Sequence, residues 1–215
     1  MVYVMSDIHG DFNRYQAMLK AIDFKPSDRM YIIGDIIDRN KNGIEIALDI
    51  MMNHKDSITL IRGNHEQMCL DHLVFHKPEA RNIWLHNGGA PTRRALLYQI
   101  DSSARHAILT FFQHTPDHME IVCNGRLFHL VHGWPGNSTE NRIWTRPDPL
   151  WPNPFSDRTV IIGHTCVYFL GQKDGSPLRI AHFPGFIDLD CGCGNQDPFC
   201  RLACLRLDDM MEFYV

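Results

Sequence analysis

The chain has 215 residues, 44% apolar and 21% charged, with a formal net charge of -4. That size and balance exclude a disordered chain, a collagen and a coiled coil, and they allow one full-sized domain, 1–215, with a core of its own. A mildly acidic balance also argues against sequence-blind binding to a nucleic-acid polymer.

Residues 1–70 repeat one unit three times: a short β-rich run, a polar loop, then a helix. Residues 2–5 lead into SDIHGD, 30–33 into GDIIDR and 58–61 into RGNHE. Each run is rich in Val, Ile or Tyr and has the length of a buried strand. Phe12, Tyr15, Leu19 and Ile22 recur at helical spacing, as do Ile44, Ala47, Leu48 and Met51. Pro26 is expected to stop the first helix. Such alternation predicts parallel strands joined by right-handed crossovers. Ligand sites in these sheets lie beyond the carboxyl ends of the strands, so the three polar loops are predicted to converge.

Residues 66–118 read as mainly helical, interrupted by HNGGAP at 86–91. From residue 119 the period changes. Residues 120–123, the pair Asn124-Gly125 and residues 127–131 form a strong hairpin signal. The proline-rich stretch 134–158 has no clear period and is read as loop. Residues 160–162 form a strand ending in GHT, 173–175 a turn, and 186–189, 201–207 and 211–214 the closing strands. No run reaches the roughly 18–20 apolar residues of a membrane span. The start, MVYVMSDIHG, lacks the basic and apolar regions of a secretory leader. Seven cysteines in no secreted small-domain pattern fit a reducing compartment, and the expectation is a cytoplasmic protein.

Histidine is abundant, at 13 residues, which points to metal or acid–base chemistry. Five strand ends carry ligand-type residues: Asp7 and His9, Asp35, Asn64 and His65, His132, and His164. A lone His after a strand is usually an ordinary loop residue; five such ends together are a different matter. Carboxylate, imidazole and amide oxygen suit divalent Mn, Fe, Zn, Co or Ni, whereas a structural zinc site would show four Cys or His at short spacing. Ligands spread over separate strands suit an open catalytic site with two metals.

These motifs, in this order, resemble the calcineurin-like metallophosphoesterases. GDIIDR and GNHE are similar to the phosphoprotein phosphatase branch. GNHEQM, WLHNGG, IWTRPD and IIGHT are similar to its small lambda-type bacterial and phage serine/threonine phosphatases. The resemblance implies an α/β fold, a four-layer αββα sandwich of two mixed sheets flanked by helices. It implies Asp7, His9 and Asp35 as ligands of a first metal and Asp35, Asn64, His132 and His164 as ligands of a second, with Mn foremost. A hydroxide between the metals would attack phosphorus in line. His65 matches the proton donor and Asp38 its orienting partner, although Asp38 alone would read as a helix N-cap. Arg39 and Arg146 match arginines that grip phosphate oxygens, a task suited to the planar guanidinium fork. Arg62 matches another arginine near the site. Glu66 is read as structural, bonding loop amides near His65. Residues 66–118 and 134–158 are expected to wall the groove.

The resemblance therefore implies a metal-dependent phosphomonoesterase, foremost a serine/threonine or dual-specificity protein phosphatase, acting on a phosphorylated protein or a small phosphoester. The alternative is hydrolysis of a nucleotide, dinucleoside polyphosphate or cyclic phosphodiester, with Trp134, Trp144 and Trp151 available to stack a base. A scaffold that has lost catalysis would have lost ligands or His65, and none is lost. Two departures stand out. The second-metal His is followed by Gly133-Trp134, and Asp190-Cys191-Gly192-Cys193 replaces the usual string near the end. With Cys200 and Cys204, those cysteines are read as buried thiols, their spacing matching no standard zinc site.

Overall fold

A computed structural model describes residues 1–215. The first sheet begins with β1 (Val2–Met5), β2 (Arg29–Ile33) and β3 (Ile58–Ile61), paired in parallel. Helices α1 (Phe12–Ala21) and α2 (Gly43–Asn53) connect them. The period of two along each strand sorts the side chains between two cores. Tyr3, Met5, Met30, Ile32, Ile58 and Leu60 pack with the helices, while Val4, Ile33 and Ile61 face the second sheet. Asp11 caps α1, accepting from the Arg14 amide at 3.1 Å. That helix ends at Ala21, before Pro26, where Asp23 takes a left-handed turn at φ 51°.

Four helices follow: α3 (Asn64–Leu73), α4 (Ala80–His86), α5 (Ala90–Tyr98) and α6 (Ser102–His114). Gly88-Gly89 separates α4 from α5, within the loop expected there. Their apolar faces, with Trp84, Leu96, Ile108 and Phe112 fully buried, cover the outer side of the first sheet. Burial of each such side chain stabilises the fold by about 1.5–3 kcal/mol.

The second sheet opens with a hairpin of β4 (His118–Cys123) and β5 (Arg126–Val131). Asn124 and Gly125, at φ 48° and 74°, supply the two left-handed residues of a type I′ turn. Helix α7 (Thr139–Trp144) then precedes β6 (Arg158–Ile162), β7 (Ala181–His182) and β8 (Ile187–Asp188). The order is β4-β5-β6-β8-β7, with β5, β6 and β8 mutually parallel. The chain returns to the first sheet as β9 (Ala203–Arg206) and β10 (Met211–Tyr214), antiparallel beside β1. Phe128, Leu130 and Ile161 meet Val4, Ile33, Ile61 and Leu205 between the two sheets.

The architecture is two mixed sheets flanked by helices, as expected. Three local differences have physical causes. Residues 139–144 form α7 within the expected loop, because the Ser138 hydroxyl caps the Asn141 amide at 3.1 Å and the segment contains no proline. Strand β7 is only two residues long, too short to show a period. Residues 186–189 pair as a strand only at Ile187–Asp188, just after Pro184-Gly185. The outer face of the second sheet is covered lightly. There, Val131, Val160, Ile162 and Phe186 pack under Trp134, Phe155 and neighbouring irregular chain. No helix is long and apolar enough to cross a membrane.

Candidate active site

The carboxyl ends of β1, β2, β3, β5 and β6 meet at one edge, and their loops hold the chemistry. The backbone there is strained. Asp7, His9, Asp35, Asp38, Arg39 and His164 all have positive φ, between 49° and 72°. Each such conformation costs of order 1 kcal/mol and must be held by its surroundings. Loop-to-loop bonds hold it: the His9 amide donates to the Asp35 carbonyl at 2.8 Å and the Gly10 amide to that of Ile36 at 2.9 Å. Glu66, fully buried at the start of α3, accepts from the amides of Gly63, Asp35 and Ile36, each at 2.9 Å. One carboxylate thus ties the second loop to the third. The approach is so close that a Cβ on Gly63 would stand 2.7 Å from the Asp35 nitrogen, so only glycine fits.

Asp35 is the hub. Its Oδ2 lies 3.3 Å from His132 Nε2, 3.7 Å from His65 Nε2 and 3.8 Å from His9 Nε2. Its Oδ1 accepts from the His65 amide at 3.0 Å. Two buried groups of ligand atoms share it: His9, Asp35 and His65, and Asp35, His132 and His164, with the atoms of each group within 4.8 Å of one another. Asn64 Oδ1 joins the second group, 2.9 Å from His132 Nε2. Asp7 Oδ1 sits 3.8 Å from His9 Nε2, while its Oδ2 accepts from the His164 amide at 2.9 Å and from the Ser6 hydroxyl. Main-chain carbonyls orient the rings. His9 Nδ1 faces the Ile37 carbonyl at 3.3 Å, His132 Nδ1 that of Ile33 at 2.8 Å and His164 Nε2 that of Trp144 at 3.1 Å. The other nitrogen of each ring is left for the centre.

Electrostatics mark the same spot. Burial and the nearby Asp190 push the Asp7 carboxyl up to about 8. Burial, with Arg39 and His65, holds His9 well below the usual imidazole range, and burial with His132 and Arg146 does the same to His164. Burial opposes charge on His132 too, but the Asp35 carboxylate outweighs it and lifts that ring to about 10. A convergent, buried set of carboxyl, imidazole and amide oxygen atoms, with the His9 and His164 rings held neutral, fits divalent first-row metals.

Beside the hub, His65 Nδ1 and Asp38 Oδ2 are 2.7 Å apart, and Trp84 Nε1 donates to the same oxygen at 2.7 Å. Burial works against the imidazolium, yet Asp35 and Asp38 raise the His65 pKa above its ordinary value. Asp38 is completely buried and is no helix cap, since α2 starts at Gly43 with Asn42 as its N-cap. The Arg39 amide donates to the Gly88 carbonyl at 3.0 Å, so the glycine turn after α4 seats that residue. Arg146 Nη1 donates to the His164 carbonyl at 2.8 Å. Both arginines are exposed and line one cavity of about 570 Å³ with His164 and Asp190.

Not every expected residue is brought here. Arg62 is engaged elsewhere, donating to the Thr115 carbonyl at 2.7 Å at the end of α6 and to Gln67 Oε1 at 3.0 Å on α3. Arg142 pairs with Asp117 at 2.8 Å, which leaves Arg146 as the arginine of its segment at the site. Trp134 packs on Trp151 and Phe186 and does not face the cavity. All seven cysteines are buried and free, and none belongs to a group of ligand atoms close enough to share a metal. Sequence reasoning missed Trp84 and the buried acids Asp188 and Asp190. Acids within and just after the expected strand 186–189 were the available signal for Asp188 and Asp190; nothing local marks Trp84.

Comparisons with known proteins agree with this geometry. The chain is 29% identical over 157 residues to serine/threonine-protein phosphatase 2 of Escherichia coli (strain K12), covering 70% of this chain and 67% of that protein. It is 33% identical over 66 residues to the symmetrical bis(5'-nucleosyl)-tetraphosphatase of Chromobacterium violaceum, covering 30% of this chain and 24% of that one. The crystal structure of a putative diadenosine tetraphosphatase superposes with a TM-score of 0.62 at 16% identity, covering 100% of this chain and 92% of the other, a likeness of fold. Residues 1–186 match the calcineurin-like phosphoesterase family, and the chain belongs to it.

Proposed function

We propose that this phosphoesterase is a divalent-metal-dependent phosphomonoesterase, and within that class a serine/threonine or dual-specificity protein phosphatase. The observation that carries the reading is Asp35, shared by two converging groups of ligand-type atoms, with His65 of the first group paired to Asp38. Asp7, His9 and Asp35 would hold one cation, and Asp35, Asn64, His132 and His164 the other, with manganese our first choice. Bound cations supply Lewis acidity and lower the pKa of water toward neutrality.

The protein's own groups do the rest. Arg39 and Arg146 grip the phosphoryl oxygens, because a planar guanidinium offers two donors at once. His65 donates a proton from Nε2 to the departing oxygen, while Asp38 fixes its tautomer and favours the charged ring. Trp84 holds Asp38, and Glu66 holds the loops in register. The longer match to a protein phosphatase supports this substrate class.

A second reading, hydrolysis of dinucleoside polyphosphates, is supported by the shorter match and the full-length fold likeness. The test is a side-by-side rate comparison with Mn²⁺ on phosphoserine, phosphothreonine and phosphotyrosine peptides and on diadenosine tetraphosphate. Higher kcat/KM on the peptides is expected; a dominant rate on the dinucleotide would replace the first reading with the second.

A further inference from the structure

The cavity that contains Arg39, Arg146 and His164 extends well past them. Its outer part is walled by Tyr168, Phe169 and Phe199, which are 46%, 69% and 40% exposed. Exposed rings gathered around one concavity are unusual and mark a binding surface. We infer that this outer part is a specificity subsite for an aromatic side chain flanking the phosphorylated residue of a peptide substrate. The inference rests on the phosphoprotein reading above.

Three observations choose that occupant. First, His65 is not a wall of the cavity. In-line displacement places the leaving oxygen at the proton donor, so the ring of a phosphotyrosine, itself the leaving group, belongs elsewhere. Second, the charge is wrong for a polyphosphate tail. Beyond the two arginines the lining carries one lysine, Lys173, against two acids, Asp190 and Asp197. The Lys173 ammonium sits 5.4 Å over the Tyr168 ring and is partly satisfied there. A neutral aromatic group suits such a wall better than a chain of phosphates. Third, the size fits. Consecutive Cα atoms are about 3.8 Å apart, so a neighbouring side chain reaches past the arginines while the phosphate stays between them. A cavity of about 570 Å³ has room for a ring and its backbone.

The test uses the Mn²⁺-loaded full chain and paired phosphoserine peptides with Phe or Ala at each position from two before to two after the phosphoserine. The readout is the Phe/Ala ratio of kcat/KM. At one or two positions we expect a ratio of about tenfold, the scale of one buried ring contact. Phe169→Ala removes an exposed ring, and the ratio falls toward one; Phe199→Ala, read the same way, checks a second ring of the wall. A ratio of one at every position, with the Ala peptides turned over, overturns the subsite and leaves the phosphatase intact. A high ratio that neither variant lowers also overturns it. Turnover of diadenosine tetraphosphate but of no phosphopeptide overturns the phosphoprotein reading and the subsite together.

Discussion

The two halves of the site are built differently. Residues 7–66 come from three consecutive parallel units, and their loops are bonded to one another through Glu66 and short main-chain contacts. Residues 132–200 arrive from a second sheet, through irregular chain held by side chains such as Asp117, which fixes α7 by accepting from Arg142 at 2.8 Å and from Thr139 at 2.6 Å. The first half fixes Asp35 and the His65–Asp38 pair; the second adds the His132 and His164 rings, Arg146 and most of the cavity wall. A regular βα repeat delivers ligands to a fixed place, whereas a wall of irregular chain leaves room to vary the substrate.

That contrast can be broken by mutation. The largest effect belongs to His65 in the first half. His65→Asn should lower kcat on an alkyl phosphate about 10²–10⁴-fold with little change in KM, and less on p-nitrophenyl phosphate, whose leaving group needs no proton. Equal losses on both would remove the acid role. Glu66→Gln comes next. An amide cannot accept from three backbone N–H groups as the carboxylate does, and the cost should be on the order of 3 kcal/mol in a urea melt with chelator present. A melt matching the wild type would show that the loops hold themselves.

In the second half, Arg146→Lys should raise KM about tenfold while kcat changes little, because one ammonium replaces a two-donor fork. A fall in kcat alone would place Arg146 in the chemical step. The smallest effect is Asp117→Asn, about 1 kcal/mol after screening of a pair close to the surface. Burial opposes the charge on Asp117, but bonds from Arg142, Thr139 and His118 outweigh it and hold the carboxyl well below its usual range. A depressed carboxyl stabilises the fold above its unfolded pKa, so the difference from wild type should be full at pH 7. It should shrink as pH falls below about 4. A difference independent of pH would assign the loss to packing.

The same division explains what was legible. Asp7, His9, Asp35, Asn64, His65, His132 and His164 were readable because each follows a short apolar run, and strand ends in a parallel sheet converge. Asp38 was ambiguous by itself; its partner Trp84 lies on α4, far along the chain, and no local pattern links them. Arg62 was ambiguous because a strand-end arginine has a long side chain, and here it is engaged by the Thr115 carbonyl just past α6 and by Gln67. The stacking role considered for Trp134 failed because the face of the second sheet lacks a helix and takes that ring as cover. The aromatic cavity was hidden since Tyr168, Phe169 and Phe199 lie in turns without a period.

The central claim is that Asp35 joins two metal positions into one phosphoesterase centre. The most direct measurement is hydrolysis of p-nitrophenyl phosphate by chelator-stripped protein, with Mn, Fe, Zn, Co, Ni or Mg added back singly, for wild type and Asp35→Asn. The account predicts no turnover after stripping, recovery with Mn²⁺ in the wild type and none in the variant. Turnover that survives chelation, or an Asp35→Asn protein as active as the wild type, would contradict it.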